Sequence, residues 1–178
     1  MLFQRITEPH PYLPSIQVWY ESSFPADERR QFDELLQLLP CPDMHLCALT
    51  DEERLVGFLI YWQWPGVVFL EHFAIDPNLR GNQLGQRALA HLQELDSPRY
   101  LLEVELPTDE LSRRRIQFYE RQGFSVNPFP YAQPPYQRGN PPIPMHLMSS
   151  PFMLSREDFD SHSQSINERV YKRFYSKD

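Results

Sequence analysis

The segment Phe73–Gly85, FAIDPNLRGNQLG, joins an apolar stretch of the sequence to an amphipathic one. The stretch Val67–Ile75 is apolar almost throughout and predicts a central strand covered on both faces. From Leu84 to Leu95, apolar residues recur at helical spacing. The first N–H groups of a helix lack partners and lie at the positive end of its dipole, so they bind phosphate groups. The segment therefore predicts an anion-binding loop, to which Arg80 adds a fork of donors.

The composition excludes several classes of protein. A chain of 178 residues, 41% of them hydrophobic, can bury a substantial core as one domain. A net charge of −7 argues against a nucleic-acid surface, which needs clustered Lys and Arg. Cys41 and Cys47 have no metal-ligand spacing and support neither a zinc site nor a disulfide framework. No segment approaches the roughly 20 apolar residues of a membrane span, so we expect a cytoplasmic protein.

The rest of the sequence predicts strands and helices in a definite order. The predicted strands are Leu2–Thr7, Met44–Thr50, Leu55–Trp64, Val67–Ile75, Tyr100–Leu106, a stretch that begins at Phe124, and Ile143–Met148. The predicted helices begin near Pro14, Pro25, Leu84, an N-cap at Thr108 and an N-cap at Ser155. Seven of the 18 prolines lie between Pro128 and Pro144, which predicts a stiff, irregular excursion there.

Two local motifs in this order resemble the GNAT superfamily of acyl-CoA-dependent N-acetyltransferases. The family's loop reads Arg or Gln, two residues, Gly, one residue, then Gly or Ala, and Arg80–Gly85 is similar, with Gln83 where the family usually has glycine. The segment Phe118–Phe124, FYERQGF, is similar to the family's Tyr-Glu-Lys/Arg-any-Gly-Phe motif. Seven residues before its tyrosine, Ser112 stands where the family often has asparagine.

The resemblance implies an α/β (α+β) fold in a single domain that spans residues 1–150. Its central sheet would be mixed but mostly antiparallel, with about six or seven strands flanked by helices. Residues 151–178 would form a C-terminal helical extension that packs on the same domain or on a partner. The chain is expected to be a monomer or a homodimer.

The resemblance also implies the reaction. We expect direct acetyl transfer from acetyl-CoA to a primary amine within a ternary complex, with no metal and no nucleic-acid partner. The phenol of Tyr119 would supply a proton to the departing thiolate. The residues expected to bind the cofactor are Phe73, Ala74, Ile75, Arg80, Gly81, Asn82, Gln83, Leu84, Gly85, Gln86 and Ser112. If the position of Gln83 needs a positive φ, its side chain is unfavourable there by up to ~1 kcal/mol or somewhat more.

A carboxylate interrupts the apolar strand at Glu71 and is the candidate general base. Strict alternation would place it on the same side as Phe73 and Ile75, with His72 on the opposite face. Burial would raise the pKa of such a carboxyl group and make it a better proton acceptor. Glu71 is equally suited to binding the substrate cation without moving a proton.

The candidate substrate-binding residues lie in three other segments. In the family, the segment between the first two strands forms one side of the acceptor site, and in this chain that segment contains Phe24. Glu103 and Glu105 share a face of one predicted strand, so they either line the cleft or form a solvated strand face. Tyr131, in the proline-rich excursion, would line the opposite side of the acceptor site or simply pack against neighbouring side chains. The acidic candidates favour a small cationic amine.

Two other functions remain open on the sequence alone. One is an acyl-CoA-binding or regulatory module of the same fold without transfer activity. In that case Gln83 and Ser112 would be departures from the family's usual residues that accompany the loss of activity. The other is an unrelated α/β domain that binds a nucleotide phosphate through the same kind of loop.

Overall fold

Residues 1–175 are described by the computed structural model, and the chain divides into two units, Met1–Ser97 and Pro98–Asp178. The first unit contains four strands, three helices and two short 3-10 turns. The strands are β1 Leu2–Ile6, β2 Met44–Asp51, β3 Arg54–Trp64 and β4 Val67–Ile75. The helices are α1 Leu13–Ser23, α2 Phe32–Gln37 and α3 Leu84–Leu92, with 3-10 turns at Ala26–Glu28 and Pro77–Leu79.

The four strands of this unit pair antiparallel in chain order. Glu52 and Glu53 form the loop between β2 and β3, and both have positive φ, as a two-residue type I′ hairpin requires. Gly66, at φ +82°, lies in the tight turn between β3 and β4. The short hairpins therefore fix the register of β4, the strand that leads into the Phe73–Gly85 segment.

The core of the first unit lies between its helices and its sheet. α1 packs on β3 and β4, and its residues Ile16 and Tyr20 are fully buried. On β3, Phe58, Ile60 and Trp62 are also fully buried. Burial of these large side chains supplies the main driving force for folding and holds β4 rigidly.

The second unit contains four strands and two helices. They are β5 Tyr100–Glu105, α4 Glu110–Arg121, β6 Ser125–Val126, β7 Tyr131–Gln133, β8 Ile143–Ser150 and α5 Arg156–Ile166. α5 continues into a π-helical turn, Asn167–Tyr171, and a 3-10 turn, Lys172–Phe174. The strand β8 pairs antiparallel with β5, β6 and β7.

The helix ends of this unit test two sequence predictions. Ser155 caps α5 as predicted, because its hydroxyl accepts the Asp158 N–H at 3.1 Å. The predicted cap of α4 at Thr108 is wrong by one residue. Asp109 is the cap, since its carboxylate accepts the Ser112 N–H at 2.7 Å and a carboxylate is the stronger acceptor.

The predicted α/β class, with mostly antiparallel strands, flanking helices and a C-terminal helix, is confirmed. Residues 1–175 contain eight strands, where about six or seven were expected, and β6 lies in the stretch predicted to be extended from Phe124. The sequence pattern does not reveal β7, which is three residues long. The boundary expected at residue 150 stays a prediction. None of the helices in the described part of the chain is long and apolar enough to span a membrane.

Candidate active site

The loop between β4 and α3 has an open, irregular backbone. Its 3-10 turn is held by Asp76, whose carboxylate accepts the Asn78 N–H at 2.9 Å. Gly81 follows at φ +87°, and a Cβ built there would meet no atom within 4 Å. Glycine is therefore required at this position by the backbone angle and not by crowding, and the empty space above it is available to a ligand.

The N-terminus of α3 carries unpaired donors. The first intrahelical bond runs from the Arg87 N–H to the Gln83 carbonyl at 3.0 Å. The N–H groups of Leu84, Gly85 and Gln86 precede that bond, and within residues 1–175 no side chain caps this helix. Since the helix dipole adds partial positive charge at this point, the loop fits a phosphate group.

Gln83 has a left-handed backbone conformation. Its φ is +58° and its ψ is 8°. A side chain in this conformation costs roughly 1 kcal/mol, because its Cβ approaches the following carbonyl. The backbone path is thus that of a glycine loop, although the residue is glutamine.

A β-bulge interrupts β4 at Glu71. His72 pairs with Ile60 and Leu70 pairs with Tyr61, so Glu71 is an extra residue opposite no partner in β3. The side chain of Glu71 is only 1% exposed, whereas the residue as a whole is partly exposed. The exposed part of Glu71 is therefore its main chain.

Both carboxylate oxygens of Glu71 accept hydrogen bonds. Arg30, itself 5% exposed, forms an ion pair with Oε1, and the indole N–H of Trp62 donates to Oε2 at 2.6 Å. The Arg30 guanidinium also lies 5.8 Å from the centre of the Trp62 ring system. This buried group favours a structural role for the carboxylate over the predicted roles as a base or a substrate ligand.

His72 does not lie on the opposite face from Glu71, and that part of the sequence prediction is wrong. Its Nδ1 is 4.0 Å from Glu71 Oε1, because the bulge breaks the alternation of side chains. The ring is buried against Tyr20 and Phe24, with centroids 5.0 and 4.4 Å away. Burial lowers the pKa of His72, so the ring is neutral at physiological pH. The half-buried Phe24 thus packs against the bulge.

The other β4 residues expected at the cofactor lie directly after the bulge. Ala74 and Ile75 are buried and Phe73 is half-buried. Gly57 of β3 pairs with Ile75, and a Cβ there would lie 2.4 Å from the Ala74 carbonyl oxygen. Gly57 is therefore required for close strand packing beside the loop. Sequence reasoning missed it, although a glycine inside an apolar strand pattern is a signal of close backbone approach.

Tyr119 lies on α4 in the second unit and is buried beside Phe118 and Phe124. Burial raises the pKa of Tyr119 to about 12. Its hydroxyl makes no hydrogen bond within the described residues, although buried phenols usually find a partner. The phenol therefore keeps its proton at neutral pH and has a donor to offer.

Ser112 occupies the first turn of the same helix. Its hydroxyl accepts the Asp109 N–H at 3.1 Å and lies 2.9 Å from the Asp109 carboxylate, which forms a capping box. The Ser112 hydroxyl is therefore hydrogen-bonded at the N-terminus of α4. The predicted contact of Ser112 with the cofactor stays a prediction.

Glu103 collects three donors within the second unit, and we call Glu103, Tyr131, Gln133 and Tyr171 the Glu103 cluster. The Tyr131 hydroxyl donates to Oε1. The Tyr171 hydroxyl and the Gln133 amide donate to Oε2 at 2.6 and 3.1 Å. Gln133 and Tyr171 were missed by sequence reasoning, because β7 is short and the π-helical turn has no clear sequence signal.

Glu105, two residues further along β5, has a different environment. Its carboxylate forms an ion pair with Arg115 of α4, and both side chains are about one third exposed. Glu105 is therefore paired with a cation, and the Glu103 carboxylate accepts hydrogen bonds from two phenols and an amide. Among the described residues, no group of three His, Cys, Asp or Glu side chains is arranged to hold a metal ion.

Comparison with known proteins gives a consistent result. A family model described as the acetyltransferase (GNAT) family matches residues 13–124. A solved structure from Bacteroides thetaiotaomicron, assigned to the GNAT family, is 32% identical, with a TM-score of 0.89, and the match covers 96% of this chain and 98% of that one. No curated protein matches the sequence.

More distant structures share the fold. An aminoglycoside 6′-N-acetyltransferase complexed with coenzyme A is 19% identical, with a TM-score of 0.59 over 84% of this chain and 96% of that one. Naa50 of Arabidopsis thaliana, in complex with the bisubstrate analogue CoA-Ac-MVNAL, is 15% identical, with a TM-score of 0.59 over 85% of this chain and all of that one. At these low sequence identities, the structural similarity shows that the proteins share a fold and nothing more.

Proposed function

The chain belongs to the acetyltransferase (GNAT) family and is thus an acyltransferase, and on this premise we propose that it transfers the acetyl group of acetyl-CoA to a small, cationic primary amine. The transfer is direct: the amine nitrogen attacks the thioester carbonyl, the carbon–sulfur bond breaks, and the thiolate leaves. We further propose that the protein acts in the cytoplasm as a monomer or a homodimer.

One observation carries the proposal, and it is the uncapped N-terminus of α3 behind the open loop at Gly81. Three consecutive N–H groups, at Leu84, Gly85 and Gln86, point to where a diphosphate would bind. Arg80 is exposed beside them and adds a positive charge. These donors fit the diphosphate of CoA. The thioester of acetyl-CoA supplies the acyl group in activated form.

The main chain of the bulge fits the developing negative charge on the carbonyl oxygen. Because the Glu71 side chain is held inward, its peptide unit is exposed at the point where the ladder is broken. We propose that an N–H between Glu71 and Ile75 donates to the oxyanion. Preorganised backbone donors of this kind typically contribute about 3–4 kcal/mol to transition-state stabilisation.

The amine must lose a proton before it attacks. With an ordinary pKa near ~10.4, a neutral fraction of only about one in a few thousand exists at pH 7, a penalty of roughly 4 to 5 kcal/mol. Glu71 is the candidate base by position, but Arg30 and Trp62 occupy both of its oxygens. In this proposal Glu71 positions the bulge, and water accepts the proton.

Tyr119 acts on the leaving group. Its pKa of about 12 keeps the phenol protonated, and its hydroxyl has no partner within residues 1–175. The same pKa makes it a weak acid toward a thiolate with a pKa of roughly 8.5 by analogy with cysteine. We therefore propose that Tyr119 first donates a hydrogen bond to the sulfur and passes its proton as the carbon–sulfur bond breaks. The phenolate then regains a proton, through water, from the nitrogen that has attacked, and this loss leaves the neutral amide.

A non-catalytic acyl-CoA-binding module is the second candidate. The engagement of Ser112 in the helix cap favours it, because that hydroxyl is committed to Asp109. The two candidates share the α3 site and differ in whether an amine is acetylated.

Thiol release from acetyl-CoA separates the two. The acceptor panel contains butylamine, a polyamine, an aminoglycoside and a peptide with a free N-terminus, since structures of this fold include an aminoglycoside acetyltransferase and a complex with a CoA-peptide analogue. We expect saturable release that depends on a small cationic amine. CoA binding without release for every acceptor would support the module instead.

A further inference from the structure

Arg29 lies in the segment between α1 and α2, and this segment is anchored to the β4 bulge on both sides of Arg29. On one side, the Nε2–H of His72 donates to the Glu28 carbonyl at 3.1 Å. On the other side, the Arg30 guanidinium pairs with the Glu71 carboxylate. Since consecutive Cα atoms are only about 3.8 Å apart, these two neighbours fix the main chain of Arg29 beside the bulge.

Three contacts hold the Arg29 guanidinium in place. Its Nε–H donates to the Phe24 carbonyl at 3.1 Å, and a terminal N–H donates to the Arg30 carbonyl at 3.4 Å. The Tyr20 ring lies below the guanidinium, with its centroid 5.6 Å from the guanidinium carbon. A guanidinium carries more N–H donors than these two hydrogen bonds use, and it holds them in one rigid plane. The remaining donors of Arg29 therefore have a fixed direction.

No carboxylate within residues 1–175 forms an ion pair with Arg29, although Asp27 and Glu28 directly precede it in the chain. Its neighbour Arg30, by contrast, is paired with Glu71. Arg29 is half-buried, so its charge has lost part of its contact with water. Charged side chains that are withdrawn from water usually have a partner of opposite charge. The Arg29 guanidinium is therefore suited to binding an anion.

The positive charge of Arg29 acts on the residues of the bulge. The Tyr20 ring, which lies against the guanidinium, is also 5.0 Å from the His72 ring, measured between centroids. Burial lowers the pKa of His72, Glu71 opposes this effect, and the charges of Arg30 and Arg29 add to it. Arg29 is thus close enough to the bulge to attract a group that binds there.

We propose that Arg29 binds the carboxylate of an acceptor that carries both a primary amine and a carboxylate. The planar fork of a guanidinium matches the two oxygens of a carboxylate. Because Arg29 lies beside the bulge, an acceptor bound there holds its amine near the thioester carbonyl. A diamino acid such as ornithine or lysine has the net positive charge of the proposed acceptor and adds the carboxylate. This inference rests on the proposed function, because it names the acceptor of that reaction.

Turnover of the unmodified chain is the first measurement. Thiol release from acetyl-CoA is compared for ornithine and lysine, each against its carboxamide, in which a neutral group of similar size replaces the carboxylate. The carboxamides carry one more positive charge, which a chain with a net charge of −7 attracts more strongly in general. We nevertheless expect kcat/KM to be at least tenfold higher for the acids. Equal values for each acid and its carboxamide would overturn the proposal without the need for any variant.

Two variants with the same change in charge form the second measurement. Arg29→Gln removes the proposed partner of the carboxylate, and Arg54→Gln removes an exposed cation at the start of β3 in the same unit. We expect Arg29→Gln to raise the KM for ornithine at least tenfold. Its kcat, its KM for ornithinamide and its CoA Kd should stay within twofold of the parent. Arg54→Gln is expected to change none of these values, and Arg29→Lys, which keeps the charge without the fork, to recover part of the acid preference.

The outcomes separate this inference from the proposed function. Acetyl transfer with an acid preference that persists in folded Arg29→Gln would overturn the role of Arg29 and leave the transferase intact. Saturation-transfer NMR with ornithine and ornithinamide, in the presence of CoA, measures binding apart from turnover. Tighter binding of ornithine that depends on Arg29, without transfer to any amine, would overturn the transferase instead. The melting temperature and CoA Kd of each variant show whether it is folded.

The carboxylate could also belong to the acyl donor, and succinyl-CoA tests that source. A loss of succinyl transfer in Arg29→Gln, with no difference between acids and carboxamides as acceptors, would assign the anion to the acyl group and overturn the acceptor proposal. We expect Arg29→Gln to leave the ratio of succinyl to acetyl transfer to butylamine within twofold of the parent.

Discussion

The buried ion pair of Arg30 and Glu71 makes a sharp prediction for stability. Replacing Arg30 with Met removes the cation that pairs with the Glu71 carboxylate, which is 1% exposed and also accepts the Trp62 N–H. Removing one partner of a buried pair typically costs about 3–5 kcal/mol, because the other charge stays buried without compensation. For a chain of this size each kcal/mol lowers Tm by about 2–4 °C, so we expect a fall of roughly 6–20 °C.

The double variant Arg30→Met with Glu71→Leu tests the reason for that loss. Two apolar side chains of similar volume replace the pair, and such replacements are often neutral. The Trp62 N–H then lacks its acceptor, which costs about 1–3 kcal/mol. We expect the double variant to be less destabilised than either single variant, by urea denaturation followed through Trp fluorescence. A single-variant loss below about 1 kcal/mol, or additive losses, would refute the reasoning.

Turnover of the same double variant decides the role of Glu71. If the carboxylate only positions the bulge, the folded double variant keeps amine turnover within about tenfold of the parent. A general base contributes about 10²–10⁴-fold, so a stable double variant that loses at least a hundredfold would make Glu71 the base.

Four further predictions concern other residues. Tyr119→Phe should lower turnover at least tenfold while the CoA Kd stays within twofold, measured by thiol release and calorimetry; equal turnover would make the phenol structural. Gly85→Trp should raise the CoA Kd at least tenfold, because the indole blocks approach to the α3 N–H groups; an unchanged Kd would remove this helix end from the site. Gln83→Gly should raise the free energy of unfolding by up to about 1 kcal/mol, since it relieves the left-handed strain at φ +58°; a loss of stability in urea would contradict that. Burial lowers the pKa of His45 to about 4, so between about pH 6.5 and pH 4 the unfolded chain binds a proton at His45 and the folded chain does not. The free energy of unfolding therefore falls as the pH drops from 6.5 toward 4. Urea denaturation over this pH range should show a shallower fall for His45→Phe.

The loop could be predicted from the sequence because its determinants are local. A strand, a glycine-containing turn and a periodic helix occur in succession, and each is encoded by neighbouring residues. Gln83, for which the family pattern raises the question of a positive φ, has a φ of +58°. Ser155 and Gly123 likewise mark helix ends through short-range effects of capping and backbone angle.

The bulge at Glu71 could not be predicted, because alternation along β4 gives no sign of an extra residue. The extra residue in β4 places His72 beside Glu71. The Glu71 carboxylate, expected as a candidate base, is paired with Arg30. Arg30 lies 41 positions away in the chain, and only tertiary packing brings the two together.

The Glu103 cluster was predicted in part. Glu103 and Tyr131 were named as candidates, and their hydrogen bond joins them. Gln133 and Tyr171 were not, since their contacts span 30 and 68 positions of sequence. Glu103 and Glu105 are equivalent in the strand pattern, and the ion pair of Glu105 with Arg115 comes from the packing of α4 on β5, which the pattern does not show.

Calorimetric titration of the unmodified chain with CoA and with acetyl-CoA examines the phosphate site on which the proposed reaction depends. We predict one equivalent of either ligand, with affinity that falls as salt is added, because the N–H groups of α3 and the Arg80 guanidinium bind charged oxygens. No heat with either ligand would contradict both the α3 site and the acetyl transfer built on it.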